Sequence, residues 1–519
     1  MRLRLLGLMG AALLLGAESQ EAQRWWQHVV FLADDSLEGR DTGSEGHKKA
    51  ARYIAQEFER AGLRPAGTSG YFQPVNFRSQ SIDEAGSSLT LAFPDRTEKL
   101  SLGNDAYFGL RGNLANEVSA PMAFAGYGFA VPENNFDELA GLDLKGKIVV
   151  YLSGGPKDIP GPLLSHNQSA AERWTRAKAA GAIGFASIAN PKTSDIPWSR
   201  ARLSRLLPSM KLVDLAADGP AINLTINPEQ ADKFFAGSGH TIAELLALAD
   251  SGKPLPKFNL RPTLQAKLKL NESSLESDNV VGVKAGSDPK LKGEYVVFSA
   301  HLDHVGVGKH LTGDQIYNGA MDNAAGIATM IEVARELRSV KTKRSLLFVA
   351  VTGEEKGLLG SQYFADRPTV ERKNLVADLN FDMFLPLFPL KRVVVYGMDE
   401  STLGETVKTV AEKAGVEAMR DPEPLRNSFI RSDQYSFIKR GIPSLAFKLG
   451  YAPGSPEERI FKGWLKERYH AVSDDLQQPV DREAAAKFNS LMVKVATAVA
   501  NGTEKPRWKD KSFFRRFAE

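Results

Sequence analysis

"RSLLFVAVTGEEKG", residues 344–357, is an apolar, β-branched run that stops at Thr352 and meets Gly353 and two adjacent acids, Glu354 and Glu355. An uninterrupted apolar run without polar alternation predicts a strand buried on both faces, as in parallel sheets covered by helices. The same texture recurs around it, in "GEYVVFSA" (293–300), "NLVADLNFD" (374–382), "KRVVVYG" (391–397) and "PSLAFKL" (443–449). Helical spacing intervenes from Ala324 to about Ser339 and from Ser401 to Ala414. The pattern predicts an α/β fold, a mostly parallel, doubly wound sheet flanked by helices. Ligands of such sheets sit at the carboxyl ends of the strands, so the polar residues there are the candidates for chemistry.

Those ends carry a consistent set. "FSAHLDHVG" ends in His301 and Asp303, "IYNGAMDNAAG" brings Asp322 just ahead of a helix, "AVTGEEKG" gives Glu354 and Glu355, and "LNFDMF" gives Asp382. Beyond the last strand, "RYHAVSDD" supplies His470 and Asp474. Three acids and two histidines form a nitrogen and oxygen donor set suited to zinc. Five ligands exceed the need of one tetrahedral ion but fit two ions that share a carboxylate. Asp322 is the expected bridge, with Glu355 and His470 on one ion and His301 and Asp382 on the other. His304 competes with His301, which is preferred because it directly follows the strand. Each acid alone could be a loop residue or helix cap, as Asp322 could be for the helix it precedes. Successive extended residues point in opposite directions, which gives the paired glutamates different jobs. Glu355 is expected to bind metal and Glu354 to act as general base toward the attacking water. Tyr469, beside a ligand, is a candidate donor to a developing oxyanion.

The rest of the chain bounds the class. Its 519 residues, 43% hydrophobic and 25% charged, predict a globular protein of two domains. Arg2 and Arg4 precede an apolar stretch from Leu5 to Ala17, followed by small residues, which reads as a signal peptide over 1–19 and export to the periplasm or medium. The stretch is too short to span a membrane. There are no cysteines, which excludes disulfides and thiolate chemistry. Of the net charge of +4, the first nineteen residues carry +1 and residues 503–519 carry +3, leaving the body neutral and nucleic acid an unsuitable partner. Short glycine-punctuated strands, closed by the proline-bearing "GKPLPKFNLRP", place an inserted domain at 119–262. Residues 20–118 and 263–502 are then the catalytic body and 503–519 a basic tail. His166 and His240 read as surface residues of the insert.

"SAHLDHVG", "NGAMDNAAG", "GEEKGLLGS", "NFDM" and "YHAVSDD" occur in an order that resembles the di-zinc aminopeptidases of the bacterial leucyl aminopeptidase and aminopeptidase Y type, as does the early "FLADDSLEGRDTGSEG". The resemblance implies a zinc exopeptidase fold over about Asn279 to Ala500, two zinc ions per chain, and peptides with a free N-terminus as substrates. It implies His301, Asp322, Glu355, Asp382 and His470 as ligands and Glu354 as base. Asp303 is implied to orient His301, and Asp474 to orient His470. The insert resembles a protease-associated domain. Many relatives have histidine where Gln434 stands, which leaves Asp433 as the remaining polar candidate in that segment. Alternatives on the same fold are a glutaminyl cyclase, a carboxypeptidase or a receptor-like binding protein without catalysis.

Overall fold

The computed structural model describes residues 18–194, 196–215, 218–308, 311–426 and 428–518; of the expected signal segment, 1–19, residues 1–17 lie outside these. Among the described residues two large sheets carry the chain. The first has ten strands. At its centre lie four parallel strands in the order Ser345–Val351, Tyr295–His301, Leu375–Asn380 and Ser444–Leu449. Nearly every residue of these strands is buried, as their unbroken apolar runs require.

Antiparallel strands extend both flanks. On one side Leu270–Lys284 pairs with Ser345–Val351, followed by Phe72–Ile82 and Ser209–Leu212. On the other, Arg392–Tyr396 runs antiparallel to Ser444–Leu449, with Glu417–Met419 parallel at the edge. The sheet is therefore mixed, with the expected parallel order confined to its centre. Parallel placement needs a long crossover, and the helix-free link 381–391 leading into Arg392–Tyr396 does not provide one.

Helices cover both faces. Gln20–Leu32, Ala325–Leu337 and Arg482–Asn501 close a core around Val296, Phe298 and Phe348. On the opposite face Phe364 and Phe437, from Leu359–Asp366 and Gln434–Ile438, cover Val297, Leu347 and Val349. Side-chain caps fix the helix starts: Ser44 accepts from the His47 amide at 3.1 Å, and Ser401 caps Thr402–Lys413. No helix among the described residues is long and apolar enough to cross a membrane.

The second sheet has eight strands, in the order Thr97–Leu100, Ser88–Ala92, Lys257–Lys267, Glu117–Ala125, Ile148–Leu152, Gly184–Ile188, Ile222–Ile226 and Ala106–Phe108. It has its own core, including Phe124, Phe129, Phe234 and Phe235. The chain leaves the first sheet along Phe72–Ile82 and, apart from the edge strand Ser209–Leu212, returns along Leu270–Lys284, paired from Ile82 opposite Leu270 to Phe72 opposite Val280. The inserted unit thus lies between Ile82 and Leu270, wider than the expected 119–262. Alternation in "SSLTLAF" and "AYFGL" marks strands but not the sheet they join. The supposed linker is the start of Lys257–Lys267, whose Pro262 sits at a register shift between Asn259 and Thr263, where a missing amide is tolerated.

Two further expectations change. His166 is buried, on the helix Gly161–Gln168, with Nδ1 2.8 Å from the Tyr435 hydroxyl. The basic tail is docked: Trp508 Nε1 donates to the Gly441 carbonyl at 2.8 Å, and Phe514 is fully buried against Phe429. Phe513 and Phe517 flank the His166 ring, so the tail bridges the two units. Three phenylalanines in "WKDKSFFRRF" outweigh its positive charge as a guide to placement.

Candidate active site

Three central strands stop at one edge of the sheet, and the loops that follow bring the candidate residues together. His301 ends its strand, Glu354 and Glu355 lie in the turn after Ser345–Val351, and Asp382 follows Leu375–Asn380. Asp322 precedes the helix Ala325–Leu337, in a turn that only glycine could lead into. Gly319 has φ +60°, and a Cβ there would lie 2.1 Å from the Asp322 carbonyl and 2.5 Å from the His304 ring.

The distances divide the cluster into two donor sets around Asp322. His301 Nε2 is 3.3 Å from Asp322 Oδ1 and 3.4 Å from Asp382 Oδ1. His470 Nε2 is 3.3 Å from Asp322 Oδ2 and 3.2 Å from Glu355 Oε2. The two carboxylate oxygens of Asp322 therefore face different partners. Potential ligand atoms of His301, Asp322 and Asp382 all lie within 4.8 Å of one another, as do those of His304, Asp322 and Glu355. Asp322 is 2% exposed and His301 1%. Burying so many ionisable groups in contact is costly unless they are paired or bind metal, and the nitrogen and oxygen donors suit zinc.

His304, weighed in the sequence as a rival to His301, enters the second set. Its Nδ1 lies 2.8 Å from Glu355 Oε1. Both histidines of "HLDH" thus reach the cluster, because the strand ends at His301 and the chain bends before His304.

The two outer aspartates act on different groups from those expected. His301 Nδ1 lies 3.1 Å from the backbone carbonyl of Asp303, not from its carboxylate. That carboxylate accepts from the amides of Glu354 (3.1 Å) and Glu355 (3.3 Å) and from the Thr42 hydroxyl (3.0 Å), so it fixes the paired glutamates. The Asp474 carboxylate accepts from the amides of Met321 and Asp322, each at 2.9 Å, and from Gln478 Nε2 at 2.6 Å. It holds the Asp322 turn rather than His470. Sequence spacing does not reveal either arrangement, since the groups served are backbone amides.

Arg40 was passed over within "SLEGRDTG". It is 1% exposed and donates to the carbonyls of Leu302 (2.9 Å), Asn318 (2.7 Å), Gly319 (3.0 Å) and Leu32. One guanidinium therefore ties the segment after His301 to the segment before Asp322. Burial lowers its pKa to about 10, with Asp474, Asp322 and Asp303 supporting the charge. The signal available in the sequence was an arginine in the quoted early segment, far from any other candidate.

Electrostatics separates the two glutamates. Burial raises Glu354 well above the ordinary range; His301 opposes this, and Glu355, Asp433 and Asp382 add to it. Glu355 is driven below the ordinary range despite burial, chiefly by His470 and His304. Asp322 also falls well below, its burial outweighed by His301, His304 and His470. His301 and His470 rise in return, against their burial. Burial lifts Asp433 to about 7 and Tyr469 to about 12. The Tyr469 ring lies 4.1 Å from that of His470.

A cavity of about 130 Å³ opens on His301, Asp322, Glu354, Asp382 and His470, with Tyr469 in its wall. Ser432 and Gln434, on either side of Asp433, also line it. Gln434 is fully buried, its Oε1 accepting from Asn380 at 2.7 Å and its Nε2 donating to the Phe429 carbonyl at 3.0 Å.

Residues 279–496 match peptidase family M28. The chain is 27% identical to aminopeptidase YwaD of Bacillus subtilis over 249 residues, 47% of this chain and 49% of that protein. It is 29% identical to probable leucine aminopeptidase 2 of Aspergillus fumigatus over 257 residues, 46% of this chain and 48% of that protein. The chain thus spans about half the length of these relatives. The fold is similar to that of an aminopeptidase from Aneurinibacillus sp. strain AM-1, with a TM-score of 0.56 and 21% identity over 93% of this chain and 95% of that one.

Proposed function

We propose, from the match of residues 279–496 to peptidase family M28, that the chain is a zinc-dependent aminopeptidase that hydrolyses N-terminal residues from peptides. The observation that carries this reading is the sharing of Asp322, with Oδ1 3.3 Å from His301 and Oδ2 3.3 Å from His470. His301, Asp322 and Asp382 would hold one zinc ion, and Asp322, Glu355 and His470 a second. Zinc supplies Lewis acidity, polarising a peptide carbonyl and making water more acidic.

The chain's own groups do the rest. Glu354 takes a proton from the attacking water and returns it to the leaving amine. Its backbone is held by Asp303 at 3.1 Å. His304 positions Glu355 from 2.8 Å. Tyr469, protonated at neutral pH as a tyrosine ordinarily is, donates to the developing oxyanion. The eight-stranded unit corresponds to a protease-associated insert, and the basic, then apolar N-terminal sequence would direct export.

Replacing Glu354 with alanine tests the role of the base. The variant is expected to keep its metal and lose ~10²- to 10⁴-fold in turnover, the usual worth of a positioned acid and base. Undiminished hydrolysis of aminoacyl arylamides by Glu354→Ala would remove Glu354 from this role. Cleavage of N-blocked peptides alone would overturn the aminopeptidase reading.

A further inference from the structure

The cavity at the metal cluster, about 130 Å³, has room for little more than one side chain; a cavity of ~150 Å³ takes up a benzene-sized group. An enzyme that removes one residue from a peptide must also seat the remainder. A second cavity of about 750 Å³ lies between the inserted unit and the helix Pro456–Glu467 of the main body. Its size is typical of ligand sites. Arg426, Arg431 and Leu465 line both cavities, so the two are compartments of one cleft.

The walls of the larger compartment differ in character. The inserted unit supplies an apolar side, where Tyr107 and Trp198 have ring centroids 5.4 Å apart, beside Ile196 and Pro197. The main body supplies Arg426, Arg431, Lys462 and Lys466, while Glu229 is the lining acid. Glu423 lies 3.3 Å from both Arg426 and Lys462, and Glu458 is 2.6 Å from Lys462, so part of this charge is already matched. Lys466 is exposed one helical turn beyond Lys462. Arg200 joins the two walls, donating to the Lys466 carbonyl at 3.2 Å.

We infer that this compartment binds the leaving portion of the substrate and favours peptides that carry a carboxylate there. The inference rests on the aminopeptidase reading above. Apolar rings accept the peptide's side chains, and the basic wall pairs with its carboxylate. The carboxylate comes from the free C-terminus of a short peptide or from an acidic side chain.

The test compares KM for four substrates with one N-terminal residue: an arylamide, a tripeptide with a free C-terminus, the same tripeptide amidated, and an amidated tripeptide containing glutamate. At least one carboxylate-bearing peptide is expected to show a KM about 3- to 10-fold below that of the neutral amidated peptide. Whichever of the two gains identifies the source of the carboxylate. The advantage should shrink in 1 M salt, where screening acts over ~3 Å. It should also shrink in Lys462→Glu/Lys466→Glu, read as the ratio of peptide KM to arylamide KM. Equal KM values for charged and neutral peptides, or an advantage untouched by salt and by the double variant, would overturn the inference. Failure of the wild-type chain to hydrolyse the arylamide and every free-N-terminus peptide would instead overturn the aminopeptidase reading, and this subsite with it.

Discussion

Replacing Arg40 by methionine is a demanding perturbation, because one side chain joins the two segments that carry His301 and Asp322. Arg40 donates to the carbonyls of Leu302, Asn318, Gly319 and Leu32, all without touching a proposed ligand. Methionine keeps much of the volume and none of the donors. The Gly319 carbonyl also accepts from the Ala324 amide, so three carbonyls lose their donor; at about 1–3 kcal/mol for each one left buried and unpaired, the low end is about 3 kcal/mol. That is a large share of the ~5–15 kcal/mol by which a folded chain is ordinarily stable. At about 2 °C per kcal/mol for a large domain, the thermal midpoint should fall by about 6 °C or more. Circular dichroism on protein with saturating zinc measures the midpoint, and zinc titration of stripped protein measures the accompanying loss of affinity. Arg40→Lys, with three donors on a compact head, should fall between the two and gives a folded comparison if Arg40→Met does not accumulate. An Arg40→Met protein that melts within about 1 °C of the parent and binds zinc equally well would refute the reasoning.

Other outcomes follow from the same geometry. Asp303→Asn turns one acceptor facing the Glu354 and Glu355 amides into a donor; activity or zinc affinity should drop about 10- to 100-fold, measured with an arylamide substrate and by zinc titration. Burial, reinforced by Arg516 and Arg176, lowers the His166 pKa from 6.5 to about 4. A depressed histidine pKa contributes stability above pH 6.5 that is lost as the pH falls toward 4, about 3 kcal/mol over the window. Thermal midpoints measured from pH 7 to 4 should show this decline, and His166→Gln should flatten it. Phe514→Ala empties a fully buried position; about 3–5 kcal/mol is at stake, and limited proteolysis should then cut the tail ahead of any other site.

How much was legible in the sequence depended on what each residue contacts. The central strands are unbroken apolar runs, so their positions and polar ends could be read directly, but not their order in the sheet or the antiparallel direction of Arg392–Tyr396. The structure gathers His301, Glu354, Glu355 and Asp382, which stand at those ends or just beyond them, with Asp322 and His470 from segments farther along the chain. Asp303 and Asp474 were singled out but serve backbone amides, and sequence carries no mark of such a contact. The outer antiparallel strands and the insert's limits were misplaced because alternation reports a strand's two faces, not its neighbour. Pro262 looked like a linker because its missing amide is tolerated only at the local bulge, which no spacing rule foretells. His166 was read as a surface residue and the tail by its charge alone, since their shared cluster joins positions far apart in the chain. Arg40 went unnoticed for the same reason: its four acceptors are carbonyls from three separate segments.

Zinc stoichiometry tests the central claim most directly. Elemental analysis of the purified chain, loaded with zinc and desalted, should find two ions per chain in the parent and in Glu354→Ala, and a loss of both in Asp322→Ala. A parent chain that retains no zinc, or an Asp322→Ala protein that still holds two ions, would contradict a centre built on that shared carboxylate.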